Sequence, residues 1–153
     1  MAREPIRTWC FAVVVVRWGE RFLLVQEAKH QQMWYLPAGR VEQGESYGEA
    51  AVRETLEESG IAVRPVGIIR IEHTPKRSSA RLRVVYLAEP EGDTTPKNQP
   101  DGESLGAVWV TLEELDHYSL RGPEVRDLFR YIAGGRPVAP LSILDREGKS
   151  FCI

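Results

Sequence analysis

Between residues 39 and 61 the chain reads Gly-Arg-Val-Glu-Gln-Gly-Glu-Ser-Tyr-Gly-Glu-Ala-Ala-Val-Arg-Glu-Thr-Leu-Glu-Glu-Ser-Gly-Ile, a ladder of carboxylates between two glycine turns. On a helix, Glu54 and Glu58 fall one turn apart with Glu57 beside them, so three carboxylates share an arc of about 100°. Val52 and Leu56 lie on the opposite side and form the expected buried face. Like charges at this spacing destabilise a helix by a few tenths of a kcal/mol per pair, unless a cation sits over them. A cluster made only of oxygen ligands suits a hard divalent ion, Mg²⁺ or Mn²⁺.

The remaining pattern places this helix in an α/β fold. Residues 10–16 are an apolar, β-branched run that reads as a buried strand, and the turn at 18–20 leads into a second strand at 21–26, a hairpin. A short extended piece at 34–39 precedes the acidic helix, read over 45–59 with Gly60 closing its end. Two strands at 67–73 and 82–89 flank the basic turn 74–79. A Pro-, Gly- and Asp-rich loop at 90–102 follows, then a strand at 107–110, a helical turn from 112 to 115 and an amphipathic helix over 124–133. Pro137 and Pro140 make 134–153 an extended crossing. The sum is a mixed sheet with helices on its faces, an α/β sandwich in one domain over 1–153.

Composition excludes several function classes. A chain of 153 residues with 42% hydrophobic content can bury one adequate core. The formal charge of -2 gives no general attraction to a nucleic-acid polymer or an anionic membrane, so phosphate affinity must be local. No apolar stretch is long enough to span a bilayer, and acid and proline interrupt the N-terminus where a secretory signal needs an apolar core. Cys10 and Cys152 have neither zinc nor redox-pair spacing and are expected as reduced thiols of a cytoplasmic protein.

The 39–61 stretch resembles the box of the Nudix hydrolase family, G-x5-E-x7-R-E-U-x-E-E-x-G-U with U a bulky apolar residue. Gly39, Glu45, Arg53, Glu54, Glu57, Glu58, Gly60 and Ile61 match, and Thr55 departs from the first U, which is expected to weaken core packing. The resemblance implies the Nudix-type α/β/α sandwich over nearly the whole chain. It also implies metal-dependent hydrolysis of a nucleoside di- or triphosphate, or a related small diphosphate, by water attack on phosphorus. Glu54 and Glu58 are the implied metal ligands, with Glu57 directly or through water and the Gly39 carbonyl completing the shell. Arg53 orients a box glutamate, with Glu45 as its partner. The base is either a box glutamate or Glu103 from the loop, so the implied catalytic set is Arg53, Glu54, Glu57 and Glu103.

Substrate contacts are less sharply marked. Trp34 and Tyr35 are read either as packing residues or as a stacking wall for a base, Arg40 and Arg81 as cations near the substrate. Lys76, Arg77, Arg81 and Arg83 also read as a solvated hairpin face, His73 as a strand-end contact, and Lys29 and His30 as exposed loop residues. Residues 26–29 and 34–40 are similar to the branch that hydrolyses nucleoside diphosphates, including oxidised guanine ones, whereas the tail is similar to broad-range bacterial phosphatases that also accept thiamine pyrophosphate. An ADP-ribose-type hydrolase and a ligand-sensing domain without turnover are the alternatives, the latter disfavoured because every box carboxylate is present. A monomer and a homodimer are both compatible with the sequence.

Overall fold

The computed structural model describes residues 3–151, so Cys152 lies outside them. Seven strands build a mixed sheet: β1 (Arg7–Trp18), β2 (Arg21–Gln26), β3 (Trp34–Tyr35), β4 (Ala38–Arg40), β5 (Val63–Pro75), β6 (Ser79–Pro90) and β7 (Gly106–Val110). The main order is β3-β2-β1-β6-β5, with β4 pairing to β1 and β7 to β2. The β1–β6 ladder is parallel, from Arg7 opposite Ser79 to Val16 opposite Ala88, and among the described residues the other ladders between these strands are antiparallel. Local pattern locates the β1–β2 and β5–β6 hairpins correctly, but β1, β5 and β6 run several residues beyond the expected apolar segments. Their ladders continue through polar residues because neighbouring strands satisfy the backbone there.

Side-chain alternation along β1 divides the core. Ala12, Val14 and Val16 face one layer, under α1 (Tyr47–Ser59), while Val13 and Val15 face the other, under α2 (Glu124–Ala133). Helix α2 buries Val125, Leu128, Phe129 and Ile132 at helical spacing, and Phe129 stacks on Phe22 with ring centroids 4.4 Å apart. Each such side chain stabilises the fold by about 1.5–3 kcal/mol on burial.

Helix α1 packs differently from expectation. Its buried residues are the small Ala50, Ala51, Thr55 and Ser59, whereas Leu56 is 49% exposed and Val52 is half-buried. The buried face is thus rotated toward the carboxylates, which brings Glu58 in against the sheet. Thr55 does not leave a packing fault, because it is fully buried and its hydroxyl donates to the Ala51 carbonyl at 2.7 Å. The helix opens with a capping box, in which the Glu49 N–H donates to Ser46 Oγ and the Ser46 N–H to the Glu49 carboxylate. It ends at Gly60, whose φ of 75° is one that glycine adopts without strain.

The tail pairs with β5 at Ala139 and then winds into a short 3-10 turn at Leu141–Ile143, so the crossing expected to be extended over 134–153 is extended only in part. Ile68 and Ala139 exchange both backbone hydrogen bonds at 2.8 and 2.9 Å, where β5 bulges between Pro65 and Gly67 and between Ile68 and Arg70. Among the described residues no helix is long and apolar enough to cross a membrane. Cys10 is a free thiol.

Candidate active site

Close approach of α1 to β4 determines the site's geometry. A Cβ added at Gly39 would lie 2.0 Å from the Glu54 carboxylate, so only a glycine lets that carboxylate rest against the β4 backbone. One turn on, Glu58 accepts the Ala38 N–H at 3.1 Å. Burial is the main force raising the Glu58 pKa to about 8; the Ala38 N–H opposes it, and the charges of Glu54, Glu27 and Glu103 add to it. The Glu54 pKa is raised as well, chiefly by burial, with Arg53 opposing and Glu57 and Glu103 adding.

Arg53 is the hub of the acidic face. Its Nε donates to Glu45 at 2.7 Å, its Nη1 to Glu54 at 2.9 Å and to Glu57 at 3.1 Å, and its Nη2 to the Arg40 carbonyl at 3.0 Å. The fork of the guanidinium makes this set possible, which an ammonium group cannot match. These bonds, led by the one to Glu45, hold the Arg53 pKa above its usual range, and the Arg53 hydrogen bond lowers that of Glu45.

The 97–104 loop is fastened to the other end of α1. Lys97 Nζ donates to the Glu57 carbonyl at 2.6 Å and to Asp101 at 2.7 Å, the Lys97 N–H donates to the Ser59 carbonyl, and Ser104 Oγ donates to the Glu58 carbonyl at 2.6 Å. Carbonyls at the helix end are thereby met by loop donors. Asp101 in turn accepts the Glu103 and Ser104 N–H groups, which fixes the backbone of Glu103. Glu103 itself is exposed, and its charge acts on both Glu54 and Glu58.

Beside the carboxylates lies a cationic cleft of about 530 Å³. Gly39 and Arg40 are at its lining, with Arg81, Arg83, Arg121 and Lys29. The guanidinium of Arg40 is 4.7 Å from the Trp9 ring centre, that of Arg81 4.5 Å from Phe11 and that of Arg121 4.7 Å from Tyr35. Tyr35 lines the cleft; its hydroxyl donates to Glu124 at 2.9 Å and accepts from Arg83 at 3.2 Å. Trp34 does not line the cleft, because it packs edge-on against Tyr118 at 5.1 Å, on the opposite side of the strand from Tyr35. Arg81 and Arg83 line the cleft while Lys76 and Arg77 stay exposed at the hairpin turn, so the basic run divides between the two readings. Exposed His73 lies outside the cleft lining, and the exposed Lys29 and His30 belong to it. Sequence reasoning gave no role to Glu27 or Arg121, which meet at 2.6 Å across 94 residues; no local pattern reports such a contact.

A divalent ion fits the chemistry of this donor set: oxygens only, from carboxylates of which Glu54 and Glu58 are partly buried and feel each other's charge, beside a glycine that a side chain would close off. Among the described residues no three acidic, His or Cys side chains already stand at ligating distance from one another, since Glu54 and Glu57 are drawn to Arg53.

The NUDIX domain family model matches residues 7–132. A mouse protein named 8-oxo-dGDP phosphatase NUDT18 is 40% identical over 111 residues, covering 69% of this chain and 33% of its own length. The chain thus spans about a third of that relative. Phosphatase NudJ of Escherichia coli is 33% identical over 126 residues, covering 80% of this chain and 81% of its own. A NUDIX hydrolase from Nitrosomonas europaea superposes with a TM-score of 0.75 at 25% identity, over 94% of this chain and all of that one.

Proposed function

The chain belongs to the Nudix family, and from that premise we propose that it is a metal-dependent pyrophosphohydrolase cleaving a phosphoanhydride bond of a nucleoside di- or triphosphate. The observation that carries the reading is the junction of two unlike surfaces at Gly39: a carboxylate face on α1 and a cleft lined by arginines. A polyphosphate needs both, cations for its oxygens and acids for the ion and the attacking water. In this reading Glu54, Glu57, Glu58 and the Gly39 carbonyl hold Mg²⁺ or Mn²⁺. Such an ion, when bound, neutralises phosphate charge and lowers the pKa of water.

The chain's own residues do the rest. Arg53 orients Glu54 and Glu57 through its fork, Glu103 or Glu57 takes the proton from water, and Arg40 and Arg81 draw the phosphates into the cleft. Guanine nucleoside diphosphates, oxidised ones included, head the candidate substrates, in keeping with the name of the mouse relative. Thiamine pyrophosphate is the second candidate, on the resemblance of the 121–144 tail to broad-range bacterial phosphatases. We read the chain as one domain of a cytoplasmic enzyme that acts on small molecules, as a monomer or a homodimer, rather than on polymers or membranes.

The test is release of phosphate or pyrophosphate, with and without Mg²⁺, from canonical and oxidised nucleoside di- and triphosphates, ADP-ribose and thiamine pyrophosphate. Glu57→Gln is assayed in parallel. Metal-dependent turnover of a nucleotide that collapses in the variant is the expected result. Absence of metal-dependent turnover across the panel would reject the proposal.

A further inference from the structure

Glu27 is a charged group in the cleft that the proposed hydrolysis leaves unused. It directly follows β2, and its Oε1 accepts from Arg121 Nη1 at 2.6 Å. Its Oε2 is buried and has no hydrogen-bond partner among the described residues. A carboxylate oxygen left unmatched away from water costs free energy until a donor meets it. The cleft is otherwise cationic through Arg40, Arg81 and Arg83, and these can receive phosphates. At Glu27, however, a phosphate oxygen would meet a like charge, so the part of a ligand facing this residue has to present N–H groups. Next to it, the Arg121 guanidinium lies over the Tyr35 ring, a flat surface on which a heteroaromatic ring can stack.

We propose that Glu27, held in place by Arg121, is a specificity-determining residue that accepts the adjacent ring and amino N–H groups of a guanine-type base. The inference rests on the nucleotide substrate proposed above and narrows it. A guanine edge offers two neighbouring donors to the two oxygens of one carboxylate: Oε1 keeps a lone pair for this while bound to Arg121, and Oε2, which the fold covers, is presented when the Glu27 side chain turns toward the base. An adenine edge sets a single amino group beside a ring nitrogen whose lone pair would face the carboxylate, so the same group that accepts guanine repels adenine.

The experiment compares wild type with Glu27→Gln on guanosine and adenosine diphosphates. It measures kcat/KM with Mg²⁺ and, separately, Kd by calorimetry in EDTA. The amide keeps the shape and an oxygen for Arg121 but replaces one acceptor with a donor. Expected is a wild-type preference for the guanine nucleotide that falls about 10- to 100-fold in the variant, the span of a charge-assisted hydrogen bond. This preference is a ratio within one preparation, so partial unfolding of the variant does not move it. No guanine preference in the wild type, or equal losses on both nucleotides, overturns the inference; equal losses would make Glu27 a general electrostatic or metal-side group. Guanine-selective binding that Glu27→Gln abolishes, without turnover, upholds the inference and rejects hydrolysis. Nucleotide turnover with an unmoved ratio does the reverse.

Discussion

Gly39 and Glu54 are matched so closely that a single methyl group separates them. Gly39→Ala puts a Cβ where the Glu54 carboxylate now lies, so the carboxylate must swing away. A displacement of about 1 Å at a reacting centre costs on the order of 10²-fold in rate, and that loss is expected here in steady-state assays while the far-ultraviolet circular dichroism stays unchanged. Glu58 supports a second prediction. Its folded pKa of about 8 exceeds the ordinary 4.5, so the metal-free folded protein binds more protons than the unfolded chain between these values. Stability contributed by the protonated form is present below about pH 4.5 and is lost as pH rises through about 8. Melting of the metal-free protein across this window should therefore show a downward slope from this group, made shallower by Glu58→Gln. Added Mg²⁺, which binds the ionised form, should oppose it.

At the scale of elements, the end of α1 and the 97–104 loop behave as one unit. Ser104 is fully buried and its hydroxyl meets the Glu58 carbonyl, so Ser104→Ala should cost about 1–3 kcal/mol in urea denaturation. Lys97→Met removes the bonds to Glu57 and Asp101 and should increase amide exchange across residues 97–105 while leaving the β1–β6 ladder protected. Helix α1 was legible in sequence because its carboxylate spacing, Ser46–Glu49 cap and Gly60 stop are local signals. Its buried face was not. Val52 and Leu56 are the more apolar residues, yet the helix turns its small residues inward, since only they allow Glu54 and Glu58 to come up against β4. Propensity reads residue type, while this packing is decided by the distance that the site imposes. The same limit applies to Trp34 and Tyr35, where strand alternation sends one ring to Tyr118 and the other to the cleft.

Taken as a whole, the molecule joins residues distant in the chain: Arg7 pairs with Ser79, and Arg121 reaches Glu27. The two hairpins and two helices were readable from short windows, but the parallel ladder, the tail's pairing with Ile68 and the arginines gathered from β4, β6 and the loop before α2 were not, because no short window contains both partners. Gly67 shows how the tail depends on such a contact: a Cβ there would lie 2.8 Å from Val138 Cγ2. Gly67→Ala is expected to loosen the 138–144 segment in amide exchange and to lower Tm by a few degrees, as a loss of about 1 kcal/mol does in a domain of this size. The parallel ladder also bears on the order of assembly. Contacts within the β1–β2 and β5–β6 hairpins close short loops, whereas β1 and β6 can pair only after most of the chain lying between them has been organised, a topology that slows folding. The Glu27–Arg121 contact has a longer separation still and forms only when that framework exists. A nucleotide resting on it therefore grips the finished protein and not its precursors. It should lengthen the lifetime of the native state against unfolding and leave the rate of refolding untouched.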